Sequence, residues 1–164
     1  MILTRKEVLR EIHAGRIKVT PFFAKNIGPT SLDLTLSNEF RSFHPFQKIS
    51  VSENTDYKKL TQKRKVRELV LEPGAFVLGI TKENIQLPDD IAGILSGRSR
   101  FARLGILVHA TAAFVHPGVN NHQVLEITNV SQNTLVLKPG TKIAQLVFVR
   151  TEGKAMYQGK FQRQ

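Results

Sequence analysis

Apolar positions near the start of the chain recur every three or four residues, which is the period of a helix. They are Val8, Leu9 and Ile12. Thr4 followed by Glu7 fits a capping box, in which each side chain satisfies a free backbone N–H at the helix start. Gly15 suits the end of a helix. The pattern therefore predicts a short structural helix from Thr4 to Gly15.

Beyond this helix, apolar positions alternate with polar ones, as in a half-buried strand. The clearest case is Leu32, Leu34 and Leu36, which alternate with Asp33 and Thr35. Further strands are predicted at 16–19, 76–81, 91–95, 106–111, 123–130, 134–137 and 143–150. Pro-Gly pairs mark turns between them at 73–74, 117–118 and 139–140. Many short strands with one clear helix predict a mainly β sandwich or barrel.

Composition narrows the class of protein. A chain of 164 residues is long enough for one domain with its own core. It has no cysteine, which excludes a disulfide framework and suits a cytoplasmic location. There is no run of about 18 apolar residues, so we expect no membrane span. The charged start of the chain does not resemble a secretion signal.

The charge balance is strongly basic, with 24 lysines and arginines against 13 acidic residues and a formal net charge of +11. This favours anionic partners such as nucleic acid, anionic membrane or phosphorylated metabolites. Six cations cluster at Lys58, Lys59, Lys63, Arg64, Lys65 and Arg67. This basic run has two interpretations: a nucleic-acid patch, or a solvated loop or strand edge protected by lysines. Only Tyr57 accompanies it, which gives base stacking little support.

Several classes of catalytic site are excluded by their missing motifs. Zinc-dependent deamination of a nucleobase requires H-x-E and P-C-x-x-C. The chain has no cysteine, and none of its five histidines is followed two places later by glutamate. The serine nucleophile elbow and the P-loop are missing as well. The candidate chemistry therefore needs neither zinc nor a nucleophilic side chain.

Three arginines lie between the two glycines of segment 97–105, at Arg98, Arg100 and Arg103. A single helical turn there would place Ser99 and Arg103 on one face. Guanidinium groups offer forked donors that match phosphate oxygens. The segment is either a cradle for an oligophosphate or a basic surface turn.

Glu126 is the second candidate. Strand alternation places it on the face of Val124, Thr128 and Val130. A carboxylate that loses water among apolar side chains becomes a stronger proton acceptor, as a general base requires. The alternative is a strand glutamate that faces solvent or pairs with an arginine.

Nine segments, nearly from end to end of the chain, carry a resemblance to a known family. They lie at 1–3, 29–40, 73–79, 87–91, 97–105, 108–112, 124–126, 138–146 and 160–164. The more specific ones read GRSRFARLG, VHATA, VLE and KPGTKIAQL. In their order and spacing, these segments resemble the dCTP deaminase family of the trimeric dUTPase-like superfamily.

The resemblance implies a distorted β-barrel or jelly-roll-like sandwich of the dUTPase-like type with a short N-terminal helix. It implies a domain over residues 1–150 and a tail over residues 151–164 that closes over the nucleotide. It also implies a homotrimer with active sites between subunits. The partner is then dCTP, with dUTP or dTTP as product or inhibitor and Mg²⁺ bound through the triphosphate. We expect no zinc, no metal ligand from a protein side chain, no membrane and no nucleic acid.

The implied reaction is zinc-free hydrolytic deamination of dCTP to dUTP and ammonia. By this resemblance Glu126 is the general base and proton shuttle, and Ser99 and Arg103 assist at the reacting centre. The Thr111-Ala112 backbone would position the water. The implied nucleotide-binding residues are Arg98, Ser99, Arg100, Arg103, Thr111, Ala112, His116, Val124, Leu125, Glu126, Tyr157, Lys160 and Gln164.

Four residues depart from the family pattern. His116 stands where aspartate is usual, Arg100 where serine is usual, Ser37 where glycine is usual and Met156 where proline is usual. In relatives that aspartate contacts the deoxyribose, and in diphosphatase members it helps to activate water, so His116 counts against pyrophosphate release. Three alternatives stay open. They are a dUTP diphosphatase or bifunctional enzyme, a non-catalytic nucleotide-binding regulator, and a basic nucleic-acid-binding module.

Overall fold

Strands make up most of the ordered secondary structure in the computed structural model, which describes residues 1–162. The strands are β1 (Lys18–Thr20), β2 (Ser31–Phe43), β3 (Thr61–Lys65), β4 (Leu69–Leu71), β5 (Phe76–Gln86), β6 (Ile91–Gly97), β7 (Ile106–Leu107), β8 (Phe114–Val115), β9 (Asn120–Asn129), β10 (Leu135–Leu137) and β11 (Lys142–Arg150). The helices are α1 (Arg5–His13), α2 (Tyr57–Leu60) and α3 (Ser99–Ala102), and a 3₁₀ turn covers Ala24–Asn26. The prediction for Gln164 lies outside the described residues. None of the helices within 1–162 has the length and apolar character that a membrane span requires.

The described strands form one large antiparallel sheet and one small one. The main path of the large sheet runs β7-β9-β5-β2-β11-β6-β8, with β1 added beside β5 and β3 beside β2. The first part of β2 pairs with β11, and its second part pairs with β5 and β3. This change of partner along one long strand curls the sheet into a half-barrel. The mainly β fold class predicted from the sequence is confirmed.

The core fills the concave side of the curled sheet, and strict alternation supplies it. Leu32, Leu34 and Leu36 are almost completely buried, as their spacing predicts. Along β9 the buried positions are 121, 123, 125, 127 and 129, while the even-numbered positions face the other side. The side chains of Leu125 and Ile127 are fully buried. The two faces of each strand therefore serve different purposes, one for packing and one for solvent or ligand.

The ends of several strands differ from the prediction. β5 continues to Gln86 because its last residues pair with β1 on one side and with β9 on the other. The buried carboxylate of Glu83 accepts a hydrogen bond from the backbone N–H of Thr35 at 2.8 Å. The strand predicted at 106–111 is wrong beyond β7, because the chain turns away at Val108. The sequence analysis missed β3, β4 and β8. β3 has four exposed polar residues and no alternation of apolar and polar positions, so the pattern that identifies a half-buried strand is missing there.

The N-terminal helix is present, but the predicted capping box is wrong. Thr4 occupies the N-cap position without a side-chain hydrogen bond to the helix, and Glu7 pairs with Arg10 instead. The helix end is as predicted, with Gly15 in the left-handed region at φ +71°. The buried face of α1 holds an unexpected member, since Glu11 is only 5% exposed.

A four-residue charge network, Glu11, Arg16, Asp90 and Arg150, joins α1 to the end of β11. Both arginines contact the Glu11 carboxylate at 2.6 Å, and both also contact Asp90. Burial acts to raise the pKa of Glu11, but the hydrogen bonds from Arg16 and Arg150 outweigh it and hold that pKa below its ordinary value. The hydrogen bond from Arg16 likewise lowers the pKa of Asp90. The network ties the helix to the strand that precedes the last described segment.

Candidate functional site

The outward face of the sheet borders a cavity of about 480 Å³, a size typical of small-ligand sites. Residues of this face that line the cavity are Phe43, Phe76, Leu78, Val124 and Glu126, and Tyr57 of α2 joins them. Other lining residues come from β8, from loops and from the last described segment. They include Ala112, Phe114, His116, Tyr157 and Phe161. The cavity is therefore mostly apolar, with one carboxylate in its wall.

Glu126 is held by three donors from a single loop. The backbone N–H of Thr111 donates to Oε2 at 2.7 Å, and the backbone N–H of Ala112 donates to the same oxygen at 3.3 Å. The Thr111 hydroxyl donates to both carboxylate oxygens at 3.2 and 3.3 Å. The loop thus fixes the direction in which the Glu126 carboxylate points.

The surroundings of Glu126 differ from those expected from the sequence. Val124 and Thr128 share its face, as the alternation predicts, but Val130 lies past the strand end and is 60% exposed. Glu126 itself is partly exposed, and its nearest polar contacts are backbone amides. The reason is that the whole face points away from the core. Within one chain, hydrogen bonds therefore orient the Glu126 carboxylate, and valine side chains do not shield it from water as the sequence predicted.

An aromatic stack closes one side of the cavity. The rings of His116 and Tyr157 are stacked, with centroids 4.9 Å apart and an angle of 8° between their planes. The ring of Phe114 meets His116 edge to face at 4.8 Å. The turn that carries His116 is completed by Gly118 at φ +81°. Two predicted nucleotide-binding residues, His116 and Tyr157, are thus in direct contact.

The last described segment, residues 151–162, folds back onto the cavity without regular secondary structure. The buried amide of Asn121 donates to the carbonyl of Phe161 at 2.6 Å, and the backbone N–H of Tyr157 donates to the carbonyl of Pro117 at 3.0 Å. Lys160 is exposed, with its Nζ 6.0 Å from the ring centre of Phe161. The predicted division into a domain and a closing tail stays a prediction.

The arginine-rich turn lies elsewhere on the chain. Ser99, Arg100 and Arg103 belong to α3 or its end and are exposed, and none of them lines the cavity. Within residues 1–162, the side chains of Arg100 and Arg103 make neither a hydrogen bond nor an ion pair. Arg98 differs, since it pairs with Asp33 at 3.2 Å and donates to the Lys142 carbonyl. One chain therefore does not bring this turn to Glu126.

Sequence reasoning missed most of the residues that line the cavity. Val124 lines the cavity as expected, whereas Leu125 has a fully buried side chain and does not line it, so its contact with the base stays a prediction. The missed residues are Phe43, Tyr57, Phe76, Leu78, Leu95, Phe114, Val115, Val119, Asn121, Gln123 and Phe161. Strand parity was the signal for Phe76 and Leu78, which flank the buried Val77.

A resident metal has little support from the side chains of residues 1–162. No three histidine, aspartate or glutamate side chains among them converge as ion ligands. The exposed Arg100 and Arg103 at α3 carry groups that suit phosphate rather than a cation. That Mg²⁺ arrives on the triphosphate stays a prediction.

Comparison with known proteins gives consistent results. A family model described as dCTP deaminase-like matches residues 2–151. A relative from Mycolicibacterium vanbaalenii, named dCTP deaminase, dUMP-forming, is 40% identical over 158 residues, which cover 94% of this chain and 83% of the relative. A relative of the same name from Nocardioides sp. is 38% identical and covers 100% of this chain and 91% of its own.

Solved structures support the fold. The crystal structure of 2'-deoxycytidine 5'-triphosphate deaminase from Agrobacterium tumefaciens superposes with a TM-score of 0.71 at 20% identity. The match covers 90% of this chain but 48% of that one, so this chain spans about half of that protein. The likeness shows that this chain shares its mainly β fold with that deaminase.

Proposed function

Because the chain belongs to the dCTP deaminase-like family, we propose that it is an enzyme that hydrolyses dCTP to dUMP, ammonia and pyrophosphate. The sequence analysis expected dUTP as the product and took His116 as evidence against pyrophosphate release. The names of the relatives favour dUMP, which makes the bifunctional alternative the better candidate. The observation that carries the deamination step is the Glu126 carboxylate, oriented by Thr111 and Ala112 in the wall of a mostly apolar cavity.

Glu126 is the proposed general base. It takes a proton from water, and the hydroxide attacks C4 of the cytosine ring. The carboxyl group then passes its proton to N3. It next takes the proton of the new C4 hydroxyl and gives it to the amine, so that C4=O forms as the C4–N bond breaks and ammonia leaves. One water is consumed and one C–N bond is broken in this step. The donors of the Thr111-Ala112 loop keep the carboxylate directed at the cavity, which supplies the positioning that such catalysis needs.

A second copy of the chain completes the proposed site. Arg100 and Arg103 have no polar partner within residues 1–162 and lie outside the cavity. We assign Ser99 and Arg103 of a neighbouring copy to the reacting centre, and Arg98 and Arg100 to the phosphates. A homotrimer with sites between subunits fits this division.

The nucleotide is enclosed by the last segment of the chain. Val124 and the backbone around Leu125 would lie against the base, and His116 beside the sugar. The stacking of Tyr157 on His116 and its position in the cavity wall support this enclosure. Lys160 would reach the phosphates. A bound Mg²⁺ would neutralise part of the phosphate charge and is carried by the substrate.

The test supplies dCTP, CTP, dCMP and dUTP with Mg²⁺ and measures ammonia and pyrophosphate separately. We expect both products from dCTP in equal amounts. If dCTP yields ammonia without pyrophosphate, the product is dUTP and not dUMP. If pyrophosphate forms from dUTP and neither product forms from dCTP, the protein is a diphosphatase. Tight binding without either product would favour a regulator and contradict the proposal.

The variant Glu126→Gln isolates the proposed base. It keeps the shape of the side chain but cannot take up a proton, so we expect nucleotide binding within about threefold of wild type and loss of ammonia release by a factor of about 10³ or more. Glu72→Gln is a suitable control, because Glu72 is an exposed carboxylate that pairs with Thr134 away from the cavity. Full ammonia release by Glu126→Gln would remove Glu126 from the mechanism.

A further inference from the structure

Part of the basic run at 58–67 lines a second, smaller cavity beside the first. This pocket has a volume of about 170 Å³. Its charged lining residues are Arg41, Lys58, Lys63 and Glu39. Tyr57, Leu78 and Val124 line both cavities, so the two are neighbours in one wall. Lys63 of β3, a strand that pairs with β2 alone among the described strands, therefore lies directly beside a ligand-sized cavity.

Strand register connects these cations to Glu126 in a single row. Lys63 of β3 pairs with Arg41 of β2, Arg41 pairs with Leu78 of β5, and Leu78 pairs with Glu126 of β9. Directly paired residues of antiparallel strands point to the same face. With strands spaced by about 4.8 Å, the Cα atom of Arg41 lies about 10 Å from that of Glu126, and that of Lys63 about 14 Å. An extended nucleotide with its base at Glu126 spans such a separation.

The pocket keeps positive charge after its internal pairing. Glu39 is its one carboxylate, and Lys63 and Lys65 both contact it, Lys65 at 3.2 Å. The hydrogen bonds from these two lysines lower the pKa of Glu39, so it stays ionised and offsets one cation. Among residues 1–162, Arg41 contacts only neutral groups, the Lys58 carbonyl and the Thr61 hydroxyl, at 3.4 and 3.3 Å.

Other members of the basic run face elsewhere. Arg64 pairs in register with the buried Phe40, on the opposite face of the sheet from Arg41 and Lys63. Its guanidinium donates to Gln62 on its own strand. Arg64 does not line either cavity. The run is therefore divided by strand parity into cations that face the pocket and cations that face away.

We propose that Arg41, Lys58 and Lys63 form an anion subsite that receives a phosphate group of the nucleotide whose pyrimidine lies at Glu126. The subsite belongs to the same chain as Glu126, in contrast to the arginine-rich turn, which would come from a neighbouring copy. The phosphates are thus held from two sides, by β2 and β3 of one chain and by α3 of the next. This inference rests on the proposed function, because it takes the base to lie at Glu126.

The experiment compares Lys58→Gln, Lys63→Gln and their double variant with Arg64→Gln as the matched control. Binding of dCTP and of deoxycytidine is measured by calorimetry, in the Glu126→Gln background if turnover interferes. We expect the double variant to bind dCTP at least about tenfold more weakly, because charge-assisted contacts to phosphate are lost. Deoxycytidine, which has no phosphate, should bind within about twofold of the parent. Arg64→Gln should bind both within about twofold.

Three results would overturn the subsite. One is a double variant that binds dCTP as tightly as Arg64→Gln, and another is a double variant that loses deoxycytidine equally. The third is duplex DNA binding that weakens equally in Lys63→Gln and Arg64→Gln, which would assign the run to a general nucleic-acid patch. Ammonia release by the wild type is scored separately. Its absence would contradict the proposed function, while selective loss of dCTP binding in the double variant would still support the subsite.

Discussion

Replacing Glu11 by glutamine tests the charge network that joins α1 to β11. The Glu11 carboxylate accepts one hydrogen bond from Arg16 and one from Arg150, both at 2.6 Å, and its side chain is 7% exposed. Hydrogen bonds to charged groups contribute about 1.5–3 kcal/mol each. Glutamine keeps one acceptor oxygen but turns an NH₂ group toward the other arginine. We therefore expect a loss of about 2–3 kcal/mol, which lowers the midpoint of thermal unfolding by about 5–10 °C in a chain of this length.

The lowered pKa values of the network predict the direction in which the stability of the protein changes with pH. The folded-state pKa values of Glu11 and Asp90 are lowered, so their contribution to stability is present above the ordinary values of 4.5 and 3.8. That contribution is lost as the pH falls through the lower folded values. The stability of the wild type should therefore fall below about pH 4.5, and the gap to Glu11→Gln should narrow there.

Thermal unfolding followed by circular dichroism from pH 7 to pH 3 measures both effects, at fixed protein concentration because assembly shifts the midpoint. Glu7→Gln is the control, since Glu7 pairs with Arg10 on the exposed side of the same helix. An exposed pair contributes about 0–1 kcal/mol. Equal midpoints for the Glu11 and Glu7 variants at pH 7, or a gap that persists unchanged at pH 3, would refute the assigned role of the network.

Two further predictions concern the site. Thr111→Val removes the hydroxyl donor but keeps the backbone donors to Glu126, so we expect kcat for ammonia release to fall about fivefold with KM almost unchanged, and Thr111→Ser to restore it. A change confined to KM would contradict a positioning role. His116→Asp removes the ring that stacks on Tyr157. We expect this variant to change the ratio of kcat/KM for dCTP to kcat/KM for CTP. His116→Phe is the control, because it retains an aromatic ring that can stack on Tyr157. An unchanged ratio in His116→Asp would exclude His116 from the sugar site.

Alternation along the strands was enough to predict much of the fold and one side of the site. The period of Leu32, Leu34 and Leu36 located β2 and its buried face, and parity alone put Glu126 on the face of Val124. Both results depend on neighbours within one strand. The family resemblance, which the family model confirms, came from the order of short motifs along the chain.

Contacts between residues far apart in sequence could not be predicted in the same way. Arg150 contacts Glu11, although the two residues are 139 positions apart in the sequence. No local pattern predicts that α1 contains a buried carboxylate. Thr111 turns back to Glu126 from a segment whose apolar residues indicated a continued strand. β3 forms because it pairs with β2, and it has no apolar alternation of its own. The sequence therefore showed its cations but not the side of the sheet on which each one lies.

The division of β9 into two faces has a consequence for how such a protein can diversify. Leu125 and Ile127 maintain the interior, while Val124 and Glu126 line the cavity. A substitution of Val124 leaves interior packing intact, so natural selection can alter what the strand recognises without loss of the fold. New specificities in descendants of this chain should therefore arise at Val124, while Leu125 and Ile127 should persist.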